Sequence, residues 1–98
     1  MSIAEHWYYV LYSLKDDKLY KGTCSDIGNR FLKHSLGGTL STRNRRPLVL
    51  IYLRKFENKS DALKYELFTK SIQGGVELRE KLIEFKILNS TGKLISPG

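Results

Sequence analysis

Six consecutive apolar residues, Leu48-Val49-Leu50-Ile51-Tyr52-Leu53, have to leave water, yet they fall far short of the roughly 20 that cross a bilayer. A run of this length fits a strand buried on both faces, and it is expected to be the central strand of a sheet. Two partners are available. Trp7-Tyr8-Tyr9-Val10-Leu11-Tyr12-Ser13 is dense in aromatic and β-branched residues, and Leu19-Tyr20-Lys21-Gly22-Thr23 is a second short candidate. The polar stretch Leu14 to Lys18 between them predicts a hairpin. Period-two alternation puts Trp7, Tyr9 and Leu11 on one face and Tyr8, Val10 and Tyr12 on the other, so both faces need cover. A chain of 98 residues supplies one such core and no second domain.

Helical segments provide the cover. Ser25 as cap, Asp26 in the first turn and Gly37-Gly38 as stop frame a helix over Asp26 to Leu36, with Ile27 and Phe31 on its buried stripe. Arg30 and His34 lie four apart on the border of that stripe. A second helix is predicted from a cap at Ser60 to about Ile72, ended by Gly74-Gly75, and a third from about Val76 to Ile87. The domain is thus expected over 1–88, with residues 89–98 as a loosely docked tail. Between the first helix and the apolar run, Thr39 to Pro47 carries Arg43, Arg45 and Arg46 without any period and reads as a basic loop.

Seventeen Lys and Arg against ten Asp and Glu leave a net charge of +7, which attracts polyanions, nucleic acid first among them. A single cysteine, Cys24, excludes an internal disulfide, and with two histidines it excludes a Cys/His zinc module, so any metal is held mainly by oxygen. Met1 to His6 has neither a basic n-region nor an apolar h-region, and an intracellular, cytoplasmic protein off the membrane is expected.

Tyr9 in the first strand, Tyr20-Lys21-Gly22 in the second, Arg30 and His34 on the first helix and Glu66 on the second form an ordered series. In this order and spacing they resemble the GIY-YIG nuclease superfamily. Ser41-Thr42-Arg43-Asn44-Arg45-Arg46-Pro47 and Ser60-Asp61-Ala62-Leu63-Lys64-Tyr65-Glu66 look like its short, stand-alone Slx-type branch. The resemblance spans about residues 7 to 83. It implies an α+β domain, a small three-stranded antiparallel sheet flanked by helices, with a metal-dependent nuclease site on one face. By position, Tyr9 and Tyr20 match the two motif tyrosines, Arg30 and His34 the first-helix pair, and Glu66 the metal-binding acid. Three departures stand out: Trp7-Tyr8 where Gly-Ile is usual, Lys21 in place of an apolar residue, and no asparagine in Val76 to Leu88.

Phosphodiester cleavage needs an activated water, charge relief on the phosphoryl oxygens and help for the leaving oxygen. Glu66 either holds Mg²⁺ or Mn²⁺ or merely pairs with Lys70 one turn on. Arg30 can present a planar fork to the scissile phosphate. Tyr9, assisted by Tyr20 and His34, is the favoured base. A phenol that titrates near 10 needs nearby positive charge for that role, and the alternative leaves Tyr9 orienting the water while His34 takes the proton. Lys21 could lower a tyrosine pKa or point into solvent. Arg43, Arg45 and Arg46, with Lys33 and Lys55 as weaker candidates, could grip phosphates without reading bases.

The function expected from the series is a divalent-metal-dependent endonuclease acting on DNA, RNA not excluded. Structure-selective or nonspecific cutting is expected rather than site-specific cutting. The chain would act as a monomer or weak homodimer, with a protein partner possible for selectivity. The competing readings are a catalytically silent nucleic-acid-binding module of the same fold, which needs the basic loop but not Glu66, and a protein-interaction domain, which predicts no salt-dependent affinity for DNA.

Overall fold

The computed structural model describes residues 5–95. Three strands, β1 (His6–Ser13), β2 (Leu19–Cys24) and β3 (Leu48–Phe56), form one antiparallel sheet, and three helices, α1 (Ile27–Ser35), α2 (Lys59–Lys70) and α3 (Ile72–Glu84), cover it. This is the expected three-stranded antiparallel sheet flanked by helices. β1 and β2 pair as the expected hairpin, from Trp7 opposite Cys24 to Tyr12 opposite Leu19.

The strand order corrects one expectation. It runs β2-β1-β3, so the aromatic first strand is central and the apolar run is an edge. The physical reason is a register shift: Val10 pairs with Tyr52 but Leu11 with Leu50, which leaves Ile51 as an extra residue. Alternation breaks there. Leu48 and Leu50 pack on the Tyr9 and Leu11 side, while the consecutive Ile51 and Tyr52 both pack on the Tyr8 side. A bulged edge strand thereby reads as a continuous apolar run.

The two faces of β1 carry the two cores. Tyr8, Val10 and Tyr12 pack with Leu78 and Leu82 of α3 and with Leu88. Tyr9, Leu11 and Leu48 pack against Ile27 and Phe31 of α1. Each fully buried aliphatic side chain stabilises the fold by roughly 1.5–3 kcal/mol relative to exposure, and six successive residues of β1 are buried.

Helix starts are set by caps that differ from those expected. Asp26, not Ser25, accepts from Asn29 N at 3.1 Å and starts α1. Asn58, not Ser60, accepts from Asp61 N at 2.8 Å and starts α2. Gly74-Gly75 does not end a helix. Ser71 Oγ accepts from Gly74 N at 3.1 Å, so both glycines lie in the first turn of α3, which begins at Ile72 rather than Val76. The basic loop contains one 3₁₀ turn, Arg43–Arg45. After the buried Leu88 the chain folds back, Leu88 bridging to Leu94 and Ile95 N donating to Ile87 O at 3.0 Å. Residues 96–98 of the tail and residues 1–4 lie outside the described residues. No helix among the described residues is long and apolar enough to cross a membrane.

Candidate active site

A cavity of about 510 Å³ wraps the edge strand β2, and all five residues of the expected series line it: Tyr9, Tyr20, Arg30, His34 and Glu66. Tyr9, Arg30 and His34 reach it from the α1 side of the sheet, Glu66 and Lys70 from α2. The middle of β1 places Tyr9 directly across from Gly22. A Cβ built on Gly22 would stand 2.5 Å from Tyr9 Oη and 2.6 Å from Cζ, so the tyrosine ring occupies the space that any other residue would fill. The Tyr20-Lys21-Gly22 motif therefore has a steric basis: the glycine seats Tyr9.

From that seat Tyr9 Oη lies 3.0 Å from His34 Nε2, and His34 Nδ1 lies 2.6 Å from Thr42 Oγ1. His34 and Thr42 are buried. Burial first, then the nearby Arg30 and Lys33, lower the His34 pKa from its ordinary 6.5, which leaves the ring neutral at pH 7. A neutral imidazole has one donor and one acceptor nitrogen. One of the two contacts is therefore made by the ring N–H and the other by the ring lone pair.

Burial pushes Tyr9 up to about 12, the positive charge of Arg30 opposing but not overcoming it. Tyr9 is thus a neutral phenol hydrogen-bonded to a neutral base. Tyr20 is a different kind of group. Its hydroxyl donates to Asp16 Oδ2 at 2.8 Å, and burial together with that bond raises its pKa. Tyr20 is anchored to the hairpin turn.

Glu66 reaches the cavity with its side chain 17% exposed and receives Lys70 Nζ on Oε2 at 2.6 Å. Both readings of Glu66 thus describe the same side chain, one that lines the cavity and pairs with Lys70. Thr69, near the end of α2, is pinned twice over. Lys21 Nζ donates to Thr69 O at 2.7 Å, and Tyr8 Oη shares a 2.8 Å hydrogen bond with Thr69 Oγ1. Lys21 therefore neither points into solvent nor sits beside a tyrosine hydroxyl as its bonding partner; it ties β2 to α2, and burial lowers its pKa.

Among the described residues no three His, Cys, Asp or Glu side chains gather as a metal cluster. The donor set nevertheless fits one hard cation of the Mg²⁺ kind. Such an ion is commonly held by one or two carboxylates and completes its shell with water and substrate phosphate, and Glu66 offers a carboxylate in a polar cavity. Thr39, which lines the same cavity, buries an Oγ1 without a hydrogen-bond partner among the described residues, so a polar atom there lacks a bonding partner.

The expected phosphate-gripping residues lie elsewhere. Arg45 pairs with Asp16 at 3.3 Å, Arg43 Nε donates to Gly37 O at 2.8 Å, and Arg46 Nε donates to Arg43 O at 2.9 Å. Lys55 pairs with Glu5 at 2.9 Å. Lys33 lines a smaller cleft that shares Arg30 with the main cavity. Thr42, which lines the cavity and bonds His34, was not among the expected site residues, because a hydroxyl in an aperiodic loop carries no signal of the ring it meets.

Residues 5–74 match the GIY-YIG catalytic domain. A UPF0213 protein of Cupriavidus pinatubonensis is 35% identical over 79 residues, covering 80% of this chain and 88% of its own. A UPF0213 protein of Staphylococcus saprophyticus is 42% identical over 77 residues, covering 76% of this chain and 93% of its own. The solution NMR structure of a UPF0213 protein from Bacillus halodurans covers 84% of this chain and 85% of that one at 32% identity, with a TM-score of 0.49. On the domain match and the sequence identities, the chain belongs to the GIY-YIG catalytic-domain family.

Proposed function

We propose that this chain is a divalent-metal-dependent endonuclease that hydrolyses phosphodiester bonds of DNA inside the cell, structure-selective or nonspecific rather than site-specific. We place it with the short, stand-alone Slx-type members of its family. The observation that carries the reading is the hydrogen-bonded row Tyr9–His34–Thr42, which opens into the same cavity as Arg30 and Glu66.

Glu66 is the residue that would hold Mg²⁺ or Mn²⁺, and the bound ion would relieve charge on the phosphoryl oxygens. The remaining work falls to the chain. A phenol with a pKa of about 12 is almost wholly protonated at pH 7, so Tyr9 cannot serve as a standing phenolate. Tyr9 instead accepts a proton from the attacking water as it passes its own to His34 Nε2, and His34 becomes imidazolium with Nδ1–H held by Thr42. The proton count balances, and no free phenolate forms. Arg30, in the same cavity, neutralises charge that develops on the phosphate. Lys70, beside Glu66, donates a hydrogen bond to the leaving oxygen, in a position where no asparagine is available.

The test is cleavage of single-stranded, duplex, flap and four-way DNA and of RNA by wild type and Glu66→Ala, with Mg²⁺, Mn²⁺ or EDTA. Metal-dependent cutting that the variant and EDTA both abolish, with binding retained, supports the enzyme. Binding without cutting under every condition replaces it with the silent binding module, which the Lys70–Glu66 pair favours because it already neutralises the acid.

A further inference from the structure

Beside the main cavity, a second cleft of about 260 Å³ opens between the end of β2, the start of α1 and the start of α2. Thr23 and Arg30 line both, so the two adjoin. The walls of the second cleft carry His6, Thr23, Ser25, Arg30 and Lys59 around Cys24, and include no carboxylate among the described residues. That distinguishes it from the neighbouring cleft along α1, which shares Cys24, Ser25 and Arg30 with it and adds Lys33, but contains Asp26, whose carboxylate would repel an anion.

The state of the cations separates the two halves of the basic surface. The loop arginines and Lys55 are occupied by internal partners, as described above. Arg30 and Lys59 form no ion pair and no side-chain hydrogen bond among the described residues, so they have nothing to release before meeting a phosphate. Thr23 and Ser25 supply hydroxyls between them. A cleft with two cations unpaired among the described residues and two hydroxyls, adjoining the main cavity at Thr23 and Arg30, suits a second anion on the same ligand.

We infer that the cleft formed by His6, Thr23, Ser25, Arg30 and Lys59 binds the phosphodiester next to the scissile one, so that the substrate strand leaves the active site across β2 toward the start of α2 rather than along the arginine loop. The inference rests on the nucleic-acid reading of the main cavity and adds the direction of the strand to it. Lys59 is the distinguishing residue because it touches only this cleft, is exposed, and stands at the first position of its helix, where its replacement leaves the core intact.

The experiment measures anisotropy of a short fluorescein-labelled oligonucleotide with the full chain in EDTA across a NaCl series, for wild type, Lys59→Gln and Lys59→Arg. Alkylation of Cys24, the chain's one cysteine, is followed in parallel as a reporter inside the cleft. Lys59→Gln is expected to weaken binding about three- to tenfold and to reduce the log–log salt slope by about one, with Lys59→Arg restoring both. Oligonucleotide should protect Cys24 in wild type and protect it less in Lys59→Gln. An unchanged slope with Cys24 equally reactive in bound and free protein overturns the subsite. Cleavage by wild type with Mg²⁺ separates the two readings. If wild type cuts while Lys59→Gln binds normally, the subsite fails and the nuclease stands; if wild type never cuts while Lys59→Gln loses affinity and slope, the subsite stands and the nuclease fails.

Discussion

The ring of Tyr9 rests on Gly22, its cross-strand neighbour in β2, and from that seat its hydroxyl meets His34 Nε2 at 3.0 Å. Gly22→Ala would place a methyl 2.5 Å from Tyr9 Oη, and nothing short of moving the ring relieves it. Overpacking of this kind costs about 1–3 kcal/mol, so the melting temperature should fall by roughly 4–8 °C per kcal/mol for a domain of this size. Displacing the hydroxyl by even an ångström should also reduce cleavage on the order of a hundredfold. Thermal melts and single-turnover rates check both; a variant as stable and active as wild type refutes the seat.

Removing the hydroxyl itself separates chemistry from packing. Tyr9→Phe keeps the ring over Gly22 but takes the phenol from the buried Nε2 of His34, a loss of about 1–3 kcal/mol for an unsatisfied buried group. The cleavage rate should fall by on the order of 10²–10⁴ while oligonucleotide affinity in EDTA stays within about twofold. Affinity falling in step with rate would mean that Tyr9 acts in binding.

How much of this was legible beforehand depended on whether a feature is local. The alternation of β1 was legible because side chains on a strand point to opposite faces, and Tyr8, Val10 and Tyr12 do share one core while Tyr9 and Leu11 share the other. The edge position of β3 was not, since the extra residue at Ile51 mimics a strand buried on both sides. Gly74-Gly75 read as a stop because propensity disfavours glycine in helices, whereas the close approach of the Phe68 carbonyl of α2 requires glycine at position 74. In the site, the series Tyr9, Tyr20, Arg30, His34 and Glu66 was recognisable as a pattern, and the five do line one cavity. Which cations are internally paired was not, because Asp16 and the carbonyls of Gly37 and Arg43 meet them only through folding.

His34 makes the domain sensitive to mild acid. Folded, it titrates below its ordinary value of 6.5, through burial and then the charges of Arg30 and Lys33. Between the two values the unfolded chain binds more protons, so stability rises with pH across that window. The contribution is complete above 6.5 and is lost as the pH falls through the folded value. Urea midpoints of wild type and His34→Gln between pH 4.5 and 8, values chosen to bracket about two units either side of an ordinary histidine, should show a steeper acid decline in wild type. The cleavage rate of wild type should follow an acid limb below 6.5 as well, because in the proposed reaction only neutral His34 would accept the Tyr9 proton. Parallel stability curves for the two proteins would contradict this.

Adjacent glycines at the corner between α2 and α3 should respond very differently to the same methyl. A Cβ on Gly74 would overlap the carbonyl of Phe68, while one on Gly75 meets Thr69 O at 3.4 Å, an ordinary contact. Gly74→Ala should therefore destabilise by about 2 kcal/mol or more through a shifted helix corner, and Gly75→Ala by less than about 1 kcal/mol, helped by its better helix propensity. Denaturant midpoints distinguish them. Because Glu66 lies one turn before this corner, Gly74→Ala should also lose more activity than its stability at assay temperature accounts for.

Lys70 sets how readily Glu66 takes a cation. Its ammonium holds Oε2 at 2.6 Å, so a divalent ion arriving at Glu66 must share the carboxylate with it or displace it. The Lys70 side chain is 50% exposed, and a half-exposed pair of this kind contributes at most about 1 kcal/mol. Lys70→Met, which keeps the stem and removes the charge, should therefore tighten Mn²⁺ binding, but by no more than about fivefold. Paramagnetic relaxation of water protons measures that affinity without reference to cleavage, and Glu66→Gln sets the baseline for ions bound elsewhere. Tightening that persists when Glu66→Gln is combined with Lys70→Met would show that Lys70 repels the ion at some other carboxylate, and would remove Glu66 from the metal site.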